Sequence, residues 1–349
     1  MEPTASFERF ALAFDLTICR ILNGMWQVSG GHGRIDREQA LRGMAAHVDD
    51  GFTTWDLADH YGPAEDFVGE FRRRHAAEHG ESALQELQFC TKWVPRPGPM
   101  SLPVVHTAID ISKRRMASEI LDLLQFHWWD YADRRYLDAL AHLSDLRDSG
   151  SIRHLALTNF DTERLAGILD RGIHVVSNQI QFSLIDRRPE VRMVPLCDER
   201  GVHVLAYGTA CGGLLSGRYF NQPEPRASAL DTVSLRKYKQ MVDAWGGWRL
   251  FQELLSSLND VATRHAVSIT TVAVRWVLDR PAVAGAILGR RLGLTDHRED
   301  DRQVFALRLD AEDRALIDAV LAKSRDLFSL IGDCGDEYRS DKLLLRAEP

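Results

Sequence analysis

The chain has 349 residues, a formal net charge of −7 and an isoelectric point near 6.0. That length suits one large barrel or two modest domains, and the acidic balance argues against non-specific binding to nucleic acid or anionic membranes. With 45% hydrophobic and 27% charged residues, the chain can bury a core without disulfide or metal staples.

Short apolar runs alternate with amphipathic segments from about residue 20 to residue 310. Arg20 to Asn23 reads as a first strand, running into Gly24, Met25 and Trp26. Asp36 is placed to cap a helix from Arg37 to Asp50, which Gly51 stops. Phe52 to Trp55 is strand two; its β-branched and aromatic residues suit a strand covered on both faces, and it delivers Asp56. A helix from about Ala64 to Ala77 follows, with Glu65 and Asp66 in its first turn. Leu87 to Thr91 is strand three, closing on Lys92, and a proline-rich loop leads to a helix from Val104 to Met116. Leu121 to Phe126 is strand four, ending at His127, with the helix Arg134 to Asp148 behind it. Ile152 to Leu157 is strand five, ending in Thr158 and Asn159, and Asp161 or Thr162 caps a helix to about Leu169. Val175 to Ser177 is strand six, ending in Asn178 and Gln179. A helix from Pro189 to Glu199 precedes strand seven, Val202 to Ala206, which closes on Tyr207. Residues 208–247 read as a long irregular insertion rich in Gly, Pro and Ser, of the kind that forms lids or binding loops. Two helical patterns then lead to strand eight, Gly285 to Leu288, and a C-terminal tail begins near Lys323.

Eight strand–helix alternations imply parallel strands with right-handed crossovers, either a closed barrel or a doubly wound sheet. A doubly wound sheet should carry a Gly-rich turn after its first strand, and GMWQVSGGHG lacks the GxGxxG pattern. The count of eight favours a (β/α)8 TIM barrel. We therefore expect residues 1–349 to form one domain, with its core over about 15–320, a long loop after strand 7 at 208–247 and a C-terminal extension over 323–349.

Barrel strands deliver their C-terminal residues to one mouth, where the active sites of this architecture lie. Asp56 at the end of a buried strand is costly without a partner, and Lys92, ending the next strand, supplies one. A lysine beside Tyr61 would lower the tyrosine pKa and make it a general acid for a carbonyl oxygen, which His127 could orient. Hydride has to come from a cofactor, because no side chain supplies it. Asp56, Asp59, His60 and His127 show no HxxxH or EF-hand spacing, so no metal is expected. Lys92 as a Schiff-base nucleophile is a competing reading, opposed by Asp56, which would keep the amine protonated.

The five cysteines, Cys19, Cys90, Cys197, Cys211 and Cys334, show no CxxC spacing, and their odd number favours reduced thiols in a cytoplasmic compartment. Cys90 and Cys197 suit small core positions, whereas the polar run GDCGDE leaves reactivity open for Cys334. No apolar run approaches the ~18 residues of a membrane span, and Met1 to Phe14 has no signal-peptide character.

Several of these stretches together resemble the aldo-keto reductase family. GFTTWDLADHYG resembles its Gly-Phe-x-x-x-Asp-x-Ala-x-x-Tyr-Gly signature, continued by Glu65 and Gly69. FCTKW and LLQFHWWD resemble the strands carrying the family lysine and histidine. GSIRHLALTNF, VVSNQIQFSLI and VLAYGTACGGLLSG resemble three further family segments. The details HWWDYA, VDAWGGW and IGDCGDEYR resemble a less-studied subgroup of plants and microbes.

The resemblance implies reduction of an aldehyde or ketone with NADP(H) preferred and NAD(H) possible, without metal. It implies Tyr61 as acid, Asp56 and Lys92 tuning it, and His127 orienting the carbonyl. Asn159 and Gln179 would hold the nicotinamide carboxamide beside Thr158, and Tyr207 would stack on the ring. Gly24, Met25, Trp26, Gly208, Thr209, Gly289, Arg291, His297, Asp300 and Asp301 would line the rest of the cofactor cleft. Trp26, Trp128 and Trp129 would wall the substrate pocket. Arg290, Arg291 and Arg298 could clamp a 2′-phosphate. Gly208 and Thr209 replace the usual Ser-Pro, and Asp301 stands where asparagine is usual. The implied partner is a small-molecule carbonyl compound, with no nucleic acid and no membrane, for a monomer or small homo-oligomer. Some barrels of this kind are instead cofactor-holding regulatory subunits with slow turnover, a second reading that the aromatic-rich insertion and the tail keep open.

Overall fold

The computed structural model describes residues 7–30, 35–96 and 98–339. A hairpin of β1 (Arg9–Ala13) and β2 (Leu16–Cys19) opens the chain. The units that follow are β3 (Ile21–Gly24) with α1 (Arg37–Asp49), β4 (Thr54–Asp56) with α2 (Ala64–His79), and β5 (Gln88–Trp93) with α3 (Leu102–Arg115). Next come β6 (Leu121–His127) with α4 (Tyr136–Asp148), β7 (Ile152–Thr158) with α5 (Thr162–Leu169), and β8 (Ser177–Gln181) with α6 (Met193–Arg200). After β9 (His203–Tyr207) run α7 (Val233–Trp245), α8 (Gly247–His265) and α9 (Ile269–Leu278). The chain continues through β10 (Val283–Gly289), α10 (Arg298–Ala306), α11 (Ala311–Leu321) and α12 (Leu327–Ile331).

Strands β3 to β10 close in chain order into a barrel in which every neighbouring pair is parallel. The (β/α)8 expectation therefore holds. Register pairs Gly24 with Asp56, Lys92 with Gln125, His127 with Thr158, and Thr158 with Gln179. The strand-end residues thus meet at one mouth.

Alternation along each strand divides the barrel interior into layers. Leu22, Cys90, Leu123, Ala156 and Leu205 form an apolar layer with Leu12, Leu16 and Ile18 of the hairpin. One inward step toward the mouth, the side chains become Lys92 and Gln125, joined by Asp56 and Gln179, all buried. A larger apolar shell, including Trp55, Phe89, Phe126 and Leu157, lies between strands and helices.

Two helices start as expected for their caps: the Asp36 carboxylate accepts from Gln39 N at 2.8 Å, and that of Asp161 from Arg164 N at 2.7 Å. Three expectations change. The hairpin was not anticipated. Strand six lies at Ser177–Gln181 rather than Val175–Ser177, because its inward residues are polar. The 208–247 segment is not irregular throughout: Thr232 caps α7, accepting from Leu235 N at 3.1 Å, and Leu235, Tyr238, Met241, Val242 and Trp245 bury one helical face.

Candidate active site

Asp56 and Lys92 form the centre. Lys92 Nζ donates to both carboxylate oxygens of Asp56 at 2.7 Å and to Leu57 O at 3.0 Å. All three N–H groups of the ammonium are engaged, and Lys92 is only 2% exposed. A lysine so held has no lone pair for carbonyl attack, which removes the basis of the Schiff-base reading.

Two buried amides complete this layer. Gln125 Nε2 donates to Asp56 Oδ1 at 2.9 Å, and Gln179 Nε2 donates to the same oxygen at 2.6 Å. Gln125 was not singled out from the sequence, where it interrupts the apolar run LDLLQF. A polar residue inside a buried strand was the available signal.

Tyr61 lies in the turn after β4, with Lys92 Nζ 5.2 Å from its ring centroid. Burial and then the Asp56 carboxylate push its phenol well above the ordinary value. The sequence-based expectation was the reverse. That expectation left out burial, the largest cause, and the Asp56 carboxylate, whose charge opposes that of Lys92. Tyr61 therefore stays protonated through the physiological range and is poised to donate.

His127 Nδ1 donates to Thr158 O at 3.0 Å. Burial, followed by the Arg339 guanidinium, lowers the imidazole pKa to about 3. The ring is neutral with its proton on Nδ1, so the buried Nε2 is an acceptor, and it has no partner among the described residues. In this tautomer His127 can receive a hydroxyl proton donor but cannot donate to a carbonyl oxygen.

Trp129 packs edge-on against His127 at 4.4 Å and is 44% exposed. Trp128 turns the other way. Its Nε1 donates to Asp130 O at 2.7 Å and Asp133 O at 2.8 Å, and its ring is buried beside Phe126 and Tyr136. The expected pocket wall at Trp128 is thus a core residue. Trp26 sits half-buried on a short 3-10 turn, Trp26–Ser29, after β3.

The expected cofactor residues divide into three groups. At the mouth, Asn159 adopts a left-handed conformation (φ 57°), and its Oδ1 accepts from the Tyr207 hydroxyl at 2.8 Å. The Thr158 hydroxyl is buried without a partner among the described residues. Beside the β9 loop, Gly208 has φ 75°, and any Cβ there would run into the Tyr238 hydroxyl. Thr209 is buried, again with an unpartnered hydroxyl among the described residues. Along the third wall, Met25 N donates to Asp56 O at 2.8 Å, Arg290 N donates to Gly24 O at 2.8 Å, and the Gln27 side chain covers Gly289.

The expected phosphate clamp is altered. Arg290 is buried, paired with Asp301 at 2.6 Å, and donates to Asn23 Oδ1 at 2.8 Å. Arg298 pairs with Asp50 at 2.5 Å and Asp296 at 2.7 Å. Arg291 and His297 are exposed, and Asp300 is half-buried. The residues present fit a nicotinamide carboxamide at the mouth, where orphaned buried polar atoms meet two side-chain amides. For a 2′-phosphate only Arg291 of the three arginines is left.

The C-terminal segment brings in side chains that were missed. Glu337 is buried, with Arg188 Nη2 at 2.9 Å, and Arg188 also pairs with Asp186 at 2.7 Å. Burial opposes the Glu337 charge, but Arg188 and Lys237 outweigh it and hold the carboxyl below its usual range. The Tyr338 hydroxyl meets that of Tyr207 at 3.0 Å and also accepts from Lys237 Nζ. Lys237 Nζ lies 5.0 Å from the Tyr207 ring centroid, so one face of the expected stacking ring carries a cation. Arg339 donates to Asn159 O at 2.7 Å and to Trp128 O, tying the segment to the ends of β6 and β7. Cys334 lies inside this segment, 2% exposed, and burial pushes its thiol well above the ordinary value, so it is not the reactive thiol its polar neighbours suggested.

A profile of the Aldo/keto reductase family matches residues 20–322. Flagellar radial spoke protein 5 of Chlamydomonas reinhardtii is 28% identical over 251 residues, 62% of this chain. The match covers 47% of that protein, so the chain spans about half its length. Aldo-keto reductase YhdN of Bacillus subtilis (strain 168) is 24% identical over 313 residues, covering 86% of this chain and 89% of its own. In fold, the chain is similar to the glycerol dehydrogenase AKR11B4 of Gluconobacter oxydans, with a TM-score of 0.74 and 24% identity over 92% of this chain and 96% of that one. With the profile spanning nearly the whole barrel and the strand ends converging on one polar mouth, the chain belongs to the aldo/keto reductase family.

Proposed function

We propose that the chain is an NAD(P)H-dependent carbonyl reductase that converts an aldehyde or ketone to the alcohol, with Tyr61 as proton donor. The observation that carries this is the Lys92–Asp56 pair under Tyr61, with Lys92 Nζ 5.2 Å from the phenol ring at the barrel mouth. A bound reduced nicotinamide supplies the hydride. Tyr61 donates its proton to the carbonyl oxygen as negative charge develops there. Lys92 then stabilises the resulting phenolate, and Asp56 holds Lys92 charged and in place. His127 Nε2 accepts the hydroxyl of the product alcohol, which fixes that oxygen beside Tyr61. Trp129 and Trp26 wall the carbonyl compound, an environment suited to an apolar or aromatic substituent.

NADP(H) remains the proposed preference, resting on the exposed Arg291, with NAD(H) also used. The five cysteines are free and buried, which supports a cytoplasmic setting. We take the molecule to be a monomer or small homo-oligomer. The test is loss of reduced-nicotinamide absorbance with a panel of aliphatic and aromatic aldehydes, run with both dinucleotides. Turnover above the no-enzyme rate with at least one aldehyde is expected; none across the panel would overturn the reading.

A further inference from the structure

Gln125 is fully buried on β6, two residues before His127 on the same inward face, and it takes part in three hydrogen bonds. Its Nε2 donates to Asp56 Oδ1 at 2.9 Å and to Cys90 O at 3.5 Å, and its Oε1 accepts from Gln179 Nε2 at 2.6 Å. Gln179 Nε2 also donates to Asp56 Oδ1 at 2.6 Å. An ionised carboxylate only accepts, so both amides must turn their nitrogens toward Asp56. The second N–H of Gln179 then goes to the Gln125 oxygen. Gln179 has two amide hydrogens, and both are committed inward. What it can offer at the mouth is its Oε1.

We propose that Gln125 is a positioning residue for cofactor recognition: together with Asp56 it locks the Gln179 amide so that Oε1 meets the N–H of the nicotinamide carboxamide. The inference rests on the carbonyl reductase reading. A glutamine held by Asp56 alone could rotate and present an N–H instead, and the site would lose its preference for a donating carboxamide. The Gln125 side chain removes that freedom from a distance, without touching the cofactor.

The probes are NADPH and its reduced 3-acetylpyridine analogue, which keeps the carbonyl but lacks the amide N–H. Binding is measured at equilibrium by quenching of tryptophan fluorescence, so turnover is not required. The wild type should bind NADPH about tenfold more tightly than the analogue, the value of one hydrogen bond that is not replaced. Gln125→Leu should shrink this ratio several-fold. Gln125→Glu should keep it, because a carboxyl beside Asp56 stays protonated, donates to Asp56 and accepts from Gln179. An unchanged ratio in Gln125→Leu, with the wild type discriminating, would overturn the role of Gln125 and leave the reductase reading standing. Failure of the wild type to bind either compound would overturn both. A second measurement needs no variant: the Gln179 side-chain amide protons, followed by NMR, should stay protected from exchange when NADPH binds. Loss of that protection would also overturn the proposal.

Discussion

Lys92 gives all three of its hydrogens to Asp56 and Leu57, so in the proposed reaction it acts as a held positive charge, with Tyr61 as the proton donor. Tyr61→Phe and Lys92→Met should each lower kcat by at least about 100-fold, the scale of a lost general acid, measured by steady-state turnover with the best aldehyde. A smaller loss in both would mean that the proton comes from elsewhere. The pH dependence has a defined sign. Tyr61 is held protonated above its ordinary range and His127 is neutral down to about pH 3, so kcat for reduction should be level between pH 6 and 9. Stability behaves differently. An unfolded His127 takes a proton near 6.5, whereas the native ring does so at about 3. The native state therefore loses stability as pH falls through that window, by up to ~1.4 kcal/mol per pH unit. Urea unfolding at pH 7, 6 and 5 should show a steeper loss in the wild type than in His127→Gln, and equal slopes would contradict a buried neutral ring. At the proposed 2′-phosphate site, Arg291→Ala should bring the NADPH-to-NADH ratio of kcat/KM toward one. An unchanged ratio would show that the preference, if present, does not come from Arg291. Asp56, Lys92 and His127 were legible because each ends a strand in the sequence. The direction of the Tyr61 shift was not, because it depends first on how deeply the phenol is buried and then on the Asp56 carboxylate, both set in three dimensions.

Elements differ in how well their own residues announce them. Strands β3 to β7 carry apolar runs with a polar residue at or next to the end, Asn23, Asp56, Lys92, His127 and Thr158, and those were read correctly to within a few residues. β8 was displaced because Asn178, Gln179 and Gln181 point polar groups into buried space, which breaks the run. α7 was hidden by the Gly- and Pro-rich residues before it, although its apolar spacing is helical. The hairpin and the C-terminal segment were missed for a different reason. What holds them is far away in sequence: Leu16 and Ile18 pack on the barrel floor, and Glu337 docks on Arg188. No local pattern reports such a partner. Glu337→Ala strips a buried partner from Arg188 and Lys237, and should cost about 3–5 kcal/mol in urea unfolding at pH 7. A loss below about 1 kcal/mol would mean that the segment is an exposed surface strap, since that is the range of solvent-exposed ion pairs.

At the scale of the whole molecule, eight alternations sufficed for the barrel, because a closed parallel barrel needs that count and the first turn lacks a dinucleotide fingerprint. The barrel also explains why the candidate residues, spread from Asp56 to Tyr207, meet at all: each follows from a strand end, and register does the rest. The phosphate end of the cleft was less legible, since whether an arginine is free depends on which carboxylates fold against it, as Asp301 does against Arg290. The central claim is that this mouth transfers a proton from Tyr61 during carbonyl reduction. The most direct measurement is a stopped-flow single turnover of NADPH with an aldehyde, comparing the wild type with Tyr61→Phe at equal cofactor occupancy. Rapid loss of absorbance in the wild type, with an amplitude matching bound NADPH, and a rate at least about 100-fold slower in Tyr61→Phe is expected. Firm NADPH binding with no absorbance loss in either protein would contradict it, and would favour a cofactor-holding regulatory subunit.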